Sequence, residues 1–275
     1  MTEIVKPFGR TLAEFQPLKP AEQKLLEACR QGAVADISKE RPAAATNTNT
    51  VRAAFLRFLA LGGDEQNPLH ERGVKLQGAW VEGTFDLYGA RVPGNLSLHH
   101  CHFSDVPVLL DSHIHGTLSL EGSHVNGLNA DRMVCDGSVF LRNGFTANGK
   151  IRLLGAQIGG HLACSGALLD GKQGDVLSCD GVVIKGDVFL NDGFTASGTV
   201  RLVGAQIGGS LDCSGAKLDS KEGDALACDR AVIKGSVFLR EGFTANGAVR
   251  LLSAQIGGNL NCKGPSGGHA ARSAR

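Results

Sequence analysis

The chain has 275 residues, of which 42% are hydrophobic and only 5% aromatic, with 28 Lys and Arg against 27 Asp and Glu. The formal charge of +1 argues against a strongly basic nucleic-acid binder, and no apolar run is long enough to span a bilayer. The start of the chain, from Met1 to Gln16, lacks the apolar stretch of a secretory signal. Glycine is the outlier with 38 residues, and the few aromatics imply a core of small aliphatic side chains.

Residues 1–73 differ in composition from the rest and carry helical signals. Pro20 at a first turn and Gly32 after a last turn predict one helix between them, and a second helix is predicted from about Thr50 to Leu61. We interpret residues 1–73 as a helical cap that covers the first edge of the repeats that follow. An independent, partner-binding pair of helices is the alternative.

An 11-residue pattern begins after residue 73. A small residue, a variable residue and an apolar residue recur as tripeptides at Ala79–Val81, Ala90–Val92, Cys101–Phe103, Ser112–Ile114 and Ser123–Val125. Apolar pairs one residue apart lie between the tripeptides, which predicts very short strands, each with two side chains facing inward. Four such strands make a coil of two 11-residue periods, so Leu76, Leu98 and Leu120 should form one interior column.

A longer, 49-residue repeat is superimposed on this pattern. The segment that starts at Val139 returns at Val188 and again at Val237. We interpret each unit as two coils plus five inserted residues, which form loops at 170–175 and 219–224 that leave the same corner. About eight coils are predicted for residues 74–264. A β-solenoid explains both periods, whereas a β-sandwich or a propeller of short antiparallel strands explains only the longer one.

Three units follow the order small, polar, apolar, any residue, Gly: Ala156–Gly160, Ala205–Gly209 and Ala254–Gly258. This order resembles the pentapeptide-repeat family over about residues 74–264, although the present faces alternate between five and six residues. The resemblance implies an all-β fold, a right-handed parallel β-solenoid with four sides, here preceded by a small α-helical cap. The GAQIGG repeats are also similar to those of bacterial proteins automatically named membrane-associated oxidoreductases. We find no cofactor motif that supports such a name, and we expect no cofactor.

The repeat breaks off near the C-terminal end. By the 49-residue register a further apolar segment should follow Cys262, yet the sequence becomes polar and rich in Gly and Ala. We therefore expect residues 265–275 to be a disordered tail. The solenoid then stops in mid-coil, and its open edge should either stack against a second copy of the chain, giving a homodimer, or be hidden by the tail.

The eight cysteines are predicted to be small core side chains. Cys164, Cys213 and Cys262 each lie two positions after a leucine, which places them on the inward face. Two coils separate consecutive members, which is too far for a disulfide. Unpaired thiols in the core suit a reducing cytoplasm, which is the location we expect.

The histidines cluster between residues 99 and 124. On a 22-residue coil, His102 and His124 should stack on the outer wall with Trp80, and these three residues form a candidate recognition strip. His99 should lie beside Glu121. Because two imidazoles and a carboxylate can hold zinc, four residues are weak candidates for a metal site, although plain surface is the simpler interpretation. These candidates are His99, His102, Glu121 and His124.

Basic residues recur along the outside of the predicted rod. Arg152, Arg201 and Arg250 follow the 49-residue period, and acidic residues at 131, 180 and 229 answer them. Lys172 and Lys221 occupy the two inserted loops. We take these five basic residues as candidate contacts with a macromolecule. Basic and acidic side chains nearly balance over residues 74–264, so binding to a nucleic-acid backbone is not expected.

The sequence contains no hydrolase elbow, P-loop or dinucleotide fingerprint, so an enzyme is not favoured. We interpret the chain as a non-enzymatic rod that recognises a protein partner along one wall. One alternative is a pentapeptide-repeat-type protector of DNA gyrase, although such rods are strongly acidic and this one is nearly neutral. A second is a carbohydrate-active β-helix enzyme, which would need a cleft lined by paired carboxylates.

Overall fold

Parallel strand pairing organises most of the chain. A computed structural model describes residues 11–263, except for the side chains of Lys172, Gln173 and Glu222. Its strands stack coil upon coil in parallel, in sheets of ten, eight and eleven strands. The predicted fold class is confirmed: the chain is a right-handed parallel β-solenoid, and within residues 11–263 it has only two short α-helices, both before the solenoid.

The first side of the solenoid, side 1, is the ten-stranded sheet. Its first strand, Ala35–Asp36, belongs to the N-terminal region, and the other nine bound eight coils. They are Val74–Gln77, Leu96–His99, Leu118–Ser119, Val139–Phe140, Leu162–Ala163, Val188–Phe189, Leu211–Asp212, Val237–Phe238 and Leu260–Asn261. Eight coils is the number that the sequence predicts.

Sides 2 and 3 share the eleven-stranded sheet, because the long strands in the C-terminal half run from one side onto the other. Side 2 begins with Trp80–Glu82, His102–Phe103, His124–Val125 and Thr146–Ala147; side 3 with Leu128–Asn129 and Ile151–Arg152. The strands that follow span both sides: Leu168–Ser178, Thr195–Arg201, Lys217–Ala227 and Thr244–Arg250.

Side 4 is the eight-stranded sheet and completes each coil. Its strands are Arg91–Val92, His113–Ile114, Val134–Cys135, Gln157–Ile158, Val183–Ile184, Gln206–Ile207, Val232–Ile233 and Gln255–Ile256. In each strand the second residue faces the core and the first faces outward, as strand alternation requires.

The coils differ in length in a way that corrects the sequence analysis. In-register partners on side 1 fall at positions 74, 96, 118, 139, 162, 188, 211, 237 and 260, so shorter and longer coils alternate in the second half. Four of the five extra residues lie between Asp170 and Leu177, where bulges interrupt the register of a continuous strand. The fifth lies at the next coil's corner, where Asp192, like its repeats Asn143 and Glu241, adopts a positive φ before a glycine.

The interior is a column of aliphatic side chains and thiols. Leu76 pairs in register with Leu98, and both are buried, as is Leu120, so the predicted column is present. The cysteines at 164, 179, 213 and 228 are buried and unpaired, and burial raises the pKa of Cys164 to about 12. Cys262 is exposed, because no described coil covers the last one.

The N-terminal region closes the first end of the solenoid. A 3-10 helix, Leu12–Phe15, precedes helix α1, Pro20–Gln31, and helix α2 is Ala53–Ala60. A small hairpin of Gly63–Asp64 and Asn67–Pro68 follows. No helix among the described residues has the length and apolar character needed to cross a bilayer. The proposed division at residue 73 stays a prediction, and the predicted tail, 265–275, lies outside the described residues.

The second helix is shorter than predicted. Thr50–Arg52 forms a strand that pairs with Trp80–Glu82, and α2 begins only at Ala53. The β-branched pair Thr50 and Val51 favours a strand, and the free edge of the first coil offers the partner. Tertiary pairing therefore overrides the local helical pattern.

Candidate functional site

The predicted strip of Trp80, His102 and His124 is assembled on side 2. The rings of Trp80 and His102 lie 3.9 Å apart and within 7° of parallel, and the His102 and His124 rings lie 4.8 Å apart. These contacts follow from the parallel register, which places the three residues on adjacent coils at the same outward position. The strip continues to Thr146, whose hydroxyl is 2.8 Å from His124 Nδ1.

A segment of the N-terminal region crosses this strip. Arg41 donates from Nη1 to Thr146 Oγ1 at 2.9 Å and approaches the carbonyl of Gly122. Burial, helped by His124 and Arg41, lowers the pKa of His102 to about 4, and burial and Arg41 also lower the pKa of His124. The strip is therefore neutral near pH 7 and only half exposed, so it offers stacking rather than charge to a partner.

The weak metal candidates are divided between two sides. His99 lies on side 1, where its Nε2 is 2.9 Å from Ser119 Oγ, and Glu121 is engaged by Arg142 and Asn143. His102 and His124 lie on side 2. Among residues 11–263, the three donors whose atoms all lie within 4.8 Å of one another are not the predicted ones. They are His113, His115 and Asp136, on side 4. Both histidines belong to the cluster between residues 99 and 124, but neither they nor Asp136 are among the metal candidates predicted from the sequence.

The three arginines of the predicted column all lie on side 3. Arg201 donates to Asp180 Oδ2 at 2.7 Å, Arg250 to Asp229 Oδ2 at 2.5 Å, and Arg152 to Asp131. Each aspartate also accepts a backbone N–H of the next coil, from Leu154, Val203 and Leu252. The acidic residues thus pair with the arginines, as the spacing predicts. Their guanidinium groups tie neighbouring coils together and are less free for a ligand than the sequence suggested.

The two inserted segments leave the same corner, between sides 2 and 3, two coils apart. Their acidic residues are tied to the coils, since Asp175 accepts from Lys150 at 2.8 Å and Asp224 from Arg250 at 3.1 Å. Lys221 is exposed at the tip of the second bulge. The side chain of Lys172, its counterpart, lies outside the described part of the chain.

A row of outward phenylalanines on side 1 was missed by the sequence analysis. Phe140, Phe189 and Phe238 occupy the same outward position on every second coil, so they are about 9.6 Å apart by strand spacing. Between the first two rings lies Ala163, which is outward yet only 3% exposed. All three phenylalanines are half-buried. We call these three residues the side-1 aromatic row.

Arginines lie against this row. Arg142 Cζ is 4.2 Å from the centre of the Phe140 ring, and Arg240 Cζ is 4.5 Å from that of Phe238. At the middle ring, the His161 imidazole lies 5.7 Å from Phe189. The motif Val-Phe-Leu at each repeat start carries the signal, because alternation makes Val and Leu inward and Phe outward. An outward Phe that recurs once in every long repeat therefore could have been recognised as a surface feature.

Comparison of this chain with family models, with curated proteins and with solved structures finds no match. The similarity to the pentapeptide-repeat family is therefore a resemblance of repeat pattern and coil architecture. Functional conclusions depend on the surfaces of the solenoid itself.

Proposed function

We propose that this protein is a rigid, non-enzymatic scaffold that binds a protein partner along side 1. The side-1 aromatic row is the observation that carries the proposal. Aromatic rings and arginines are the side chains enriched in the centres of protein interfaces, and lysine and aspartate are depleted there. Side 1 places three rings in one column at intervals fixed by the backbone ladder, with Ala163 and Asp212 between them and an arginine beside each outer ring.

The other candidate walls offer less to a partner. On side 2 the stacked strip is crossed by Arg41, and its neutral imidazoles are half covered. On side 3 the arginines are bound to Asp131, Asp180 and Asp229. Side 1 instead presents half-buried rings, two of which carry a guanidinium group over the ring, and these two arginines also pair with Glu121 and Glu241. A partner suited to it has apolar side chains about 9.6 Å apart and carboxylates at its margin.

Rigidity favours such recognition. The outward residues of a parallel solenoid are held by hydrogen bonds to the coils before and after, so few backbone degrees of freedom are lost on binding. Several equivalent contacts on one rod also act together, because the second contact forms at a high effective concentration once the first is made.

The test compares two sets of substitutions on different walls. Phe140→Thr, Phe189→Thr and Phe238→Thr together remove the aromatic row, and Thr preserves strand propensity. Gln157→Thr, Gln206→Thr and Gln255→Thr form the matched control, because these exposed glutamines have the same 49-residue spacing on side 4. Circular dichroism verifies that both variants are folded.

We expect a protein from the native host to be retained by the wild type and by the glutamine variant, and lost from the phenylalanine variant. Titration with that purified protein should show a Kd weakened by about thirtyfold for each ring that acts as a hot spot, equivalent to about 2 kcal/mol. Equal retention by all three chains would refute binding along side 1.

A second role is association of two copies through the last coil. Leu260 is 45% exposed although its repeat counterpart Leu211 is fully buried, and the strand Thr244–Arg250 has no described neighbour on its outer edge. Two identical edges related by a two-fold axis are self-complementary, because antiparallel pairing needs only backbone groups. This supports the homodimer, which is one of the two coverings of the open edge expected from the sequence.

Sedimentation at increasing protein concentration tests the association. Leu260→Lys places a charge on the open end and should convert dimer to monomer. Leu168→Lys is the control, because Leu168 is 50% exposed on a coil in the middle of the rod. A wild type that remains a sharp monomer at high concentration would contradict the homodimer.

The two alternatives from the sequence have weaker support. A gyrase protector would be expected to display a dense array of free carboxylates, and here Asp131, Asp180 and Asp229 are neutralised by arginines. The same ion pairs occupy the carboxylates that a carbohydrate-active wall would need. A supercoiling assay with a quinolone remains the direct test of the first alternative.

A further inference from the structure

His113, His115 and Asp136 meet on the outer surface of side 4. His113 is outward on the strand His113–Ile114, Ile114 is buried, and His115 is outward again, so both imidazoles lie on one face. Asp136 follows the strand Val134–Cys135 of the next coil, and its backbone N–H donates to the carbonyl of Ile114. The parallel register therefore brings a carboxylate from one coil over two histidines of another.

The side chains converge. Asp136 Oδ1 is 2.9 Å from His113 Nε2, and its Oδ2 is 3.0 Å from His115 Nδ1. The two imidazole rings lie 3.9 Å apart. All the donor atoms lie within 4.8 Å of one another. In a tetrahedral zinc site, bonds of about 2.0–2.1 Å place neighbouring ligand atoms about 3.3 Å apart, so small side-chain rotations bring these donors into range.

We propose that His113, His115 and Asp136 form a binding site for a borderline divalent cation such as Zn²⁺. Two imidazoles and one carboxylate are the donor set that zinc and related transition metals favour, whereas Mg²⁺ and Ca²⁺ favour oxygen ligands. The three residues supply three ligands. The remaining coordination positions face solvent, because the side chains are one-third to one-half exposed, so water or a group from another molecule completes the site.

The surroundings favour the site on balance. The two carboxylate oxygens of Asp136 already face the ring nitrogens of His113 and His115, so one ion placed between them can reach all three side chains. Arg91 precedes His113 by one coil in register, and its charge opposes a cation. Arg91 is exposed, so solvent screens this opposition. A bound ion contacts the carboxylate of Asp136 directly, so this attraction outweighs the screened repulsion from Arg91.

Titration of the chelator-treated protein with Zn²⁺ by isothermal calorimetry tests the proposal. We expect one ion per chain, and His113→Gln, His115→Gln and Asp136→Asn should each weaken binding by at least the roughly 10–100-fold that loss of an outer-shell partner costs. His124→Gln on side 2 should leave affinity unchanged. A second variant, Cys262→Ser with His269→Gln, removes the exposed thiol and the one histidine beyond the described residues, and it should also bind normally.

Absorption of the Co²⁺-substituted protein identifies the ligands independently. Visible bands without a thiolate charge-transfer band are expected for nitrogen and oxygen donors, and these bands should disappear in the His115→Gln variant. A thiolate band, binding that persists in the three ligand variants, or no binding of Zn²⁺ to the folded wild type would each overturn the proposal. Circular dichroism verifies that every variant tested is folded.

Discussion

The two ends of the solenoid are built differently. At the first end, Ala35–Asp36 pairs with Leu76–Gln77 and Thr50–Arg52 pairs with Trp80–Glu82, so the first edges of sides 1 and 2 are occupied. The helices then cover the interior, and residues such as Leu25 and Phe55 are fully buried. At the other end, within the described residues, Leu260 is 45% exposed and Cys262 is exposed.

The difference shows that the repeat itself does not bury its own core. Leu211 and Leu260 occupy the same position of the 49-residue unit, and one is fully buried only because another coil lies above it. An N-terminal segment of unrelated sequence supplies this cover at the first end through two added strands and two helices. Stability therefore depends on neighbours, as in other one-dimensional repeat proteins.

The largest expected effect on stability comes from truncating equivalent leucines, Leu211 and Leu260, in two different coils. Leu211→Ala should lower the free energy of unfolding by about 2–5 kcal/mol, because it opens a cavity in a fully packed interior. Leu260→Ala should cost less than about 1 kcal/mol, because its side chain is already half exposed. Urea unfolding monitored by circular dichroism measures both. Equal losses would mean that the last coil is covered in solution.

A smaller effect is expected from an ion pair at each end. Glu22 is fully buried and accepts from the backbone N–H and the guanidinium of Arg52, at 2.6–2.9 Å. Glu22→Gln should cost about 3 kcal/mol, since it leaves a partly buried guanidinium without its counter-charge. At the open end, Glu241 is 67% exposed beside Arg240, and Glu241→Gln should change stability by less than about 1 kcal/mol. Thermal unfolding would distinguish the two, and similar shifts in Tm would contradict the difference between the ends.

The smallest effect is a pH dependence of stability that arises in the first half of the solenoid, and it is small because His102 is only partly buried and solvent screens its surroundings. Because the pKa of His102 is lowered to about 4 from its ordinary 6.5, the unfolded chain binds this proton first as the solution is acidified. Stability should therefore fall as the pH is lowered from about 6.5 to about 4, and His102→Gln should reduce that fall. Thr195→Gln, in the same outward column four coils later, is the control. Parallel pH profiles of Tm for the wild type and His102→Gln would show that the ring is not desolvated.

Much of the fold could be predicted because the repeat period of the sequence determines the length of one coil. Leu76 and Leu98 are separated by two 11-residue periods, and one coil of that length places them in register. The periodicity could not predict how the five extra residues are divided, since a bulge and a longer corner change the 49-residue spacing equally. It also could not predict that Thr50–Arg52 pairs as a strand, because that depends on the open edge of a distant coil.

The surfaces were harder to predict than the coils. Columns such as Trp80, His102 and His124 follow from register alone, and they are stacked as expected. The covering by Arg41 could not be seen, because it comes from a segment outside the repeat. His113 pairs in register with Val134 rather than with Cys135, because this coil is shorter than the ones before it, and Asp136 thereby comes over the histidines. The length of each coil, which the average period does not fix, therefore decides which of these polar groups meet.

The alternation of shorter and longer coils has a consequence for how such a rod can change in length. Duplicating one 49-residue unit would add about 9.6 Å of length and one further copy of each outward feature, with the existing copies left in place. Among these are one phenylalanine on side 1 and one Arg–Asp pair on side 3. The number of equivalent outward positions therefore increases by one with each added unit. A partner that contacts several of these positions would distinguish rods by their number of units.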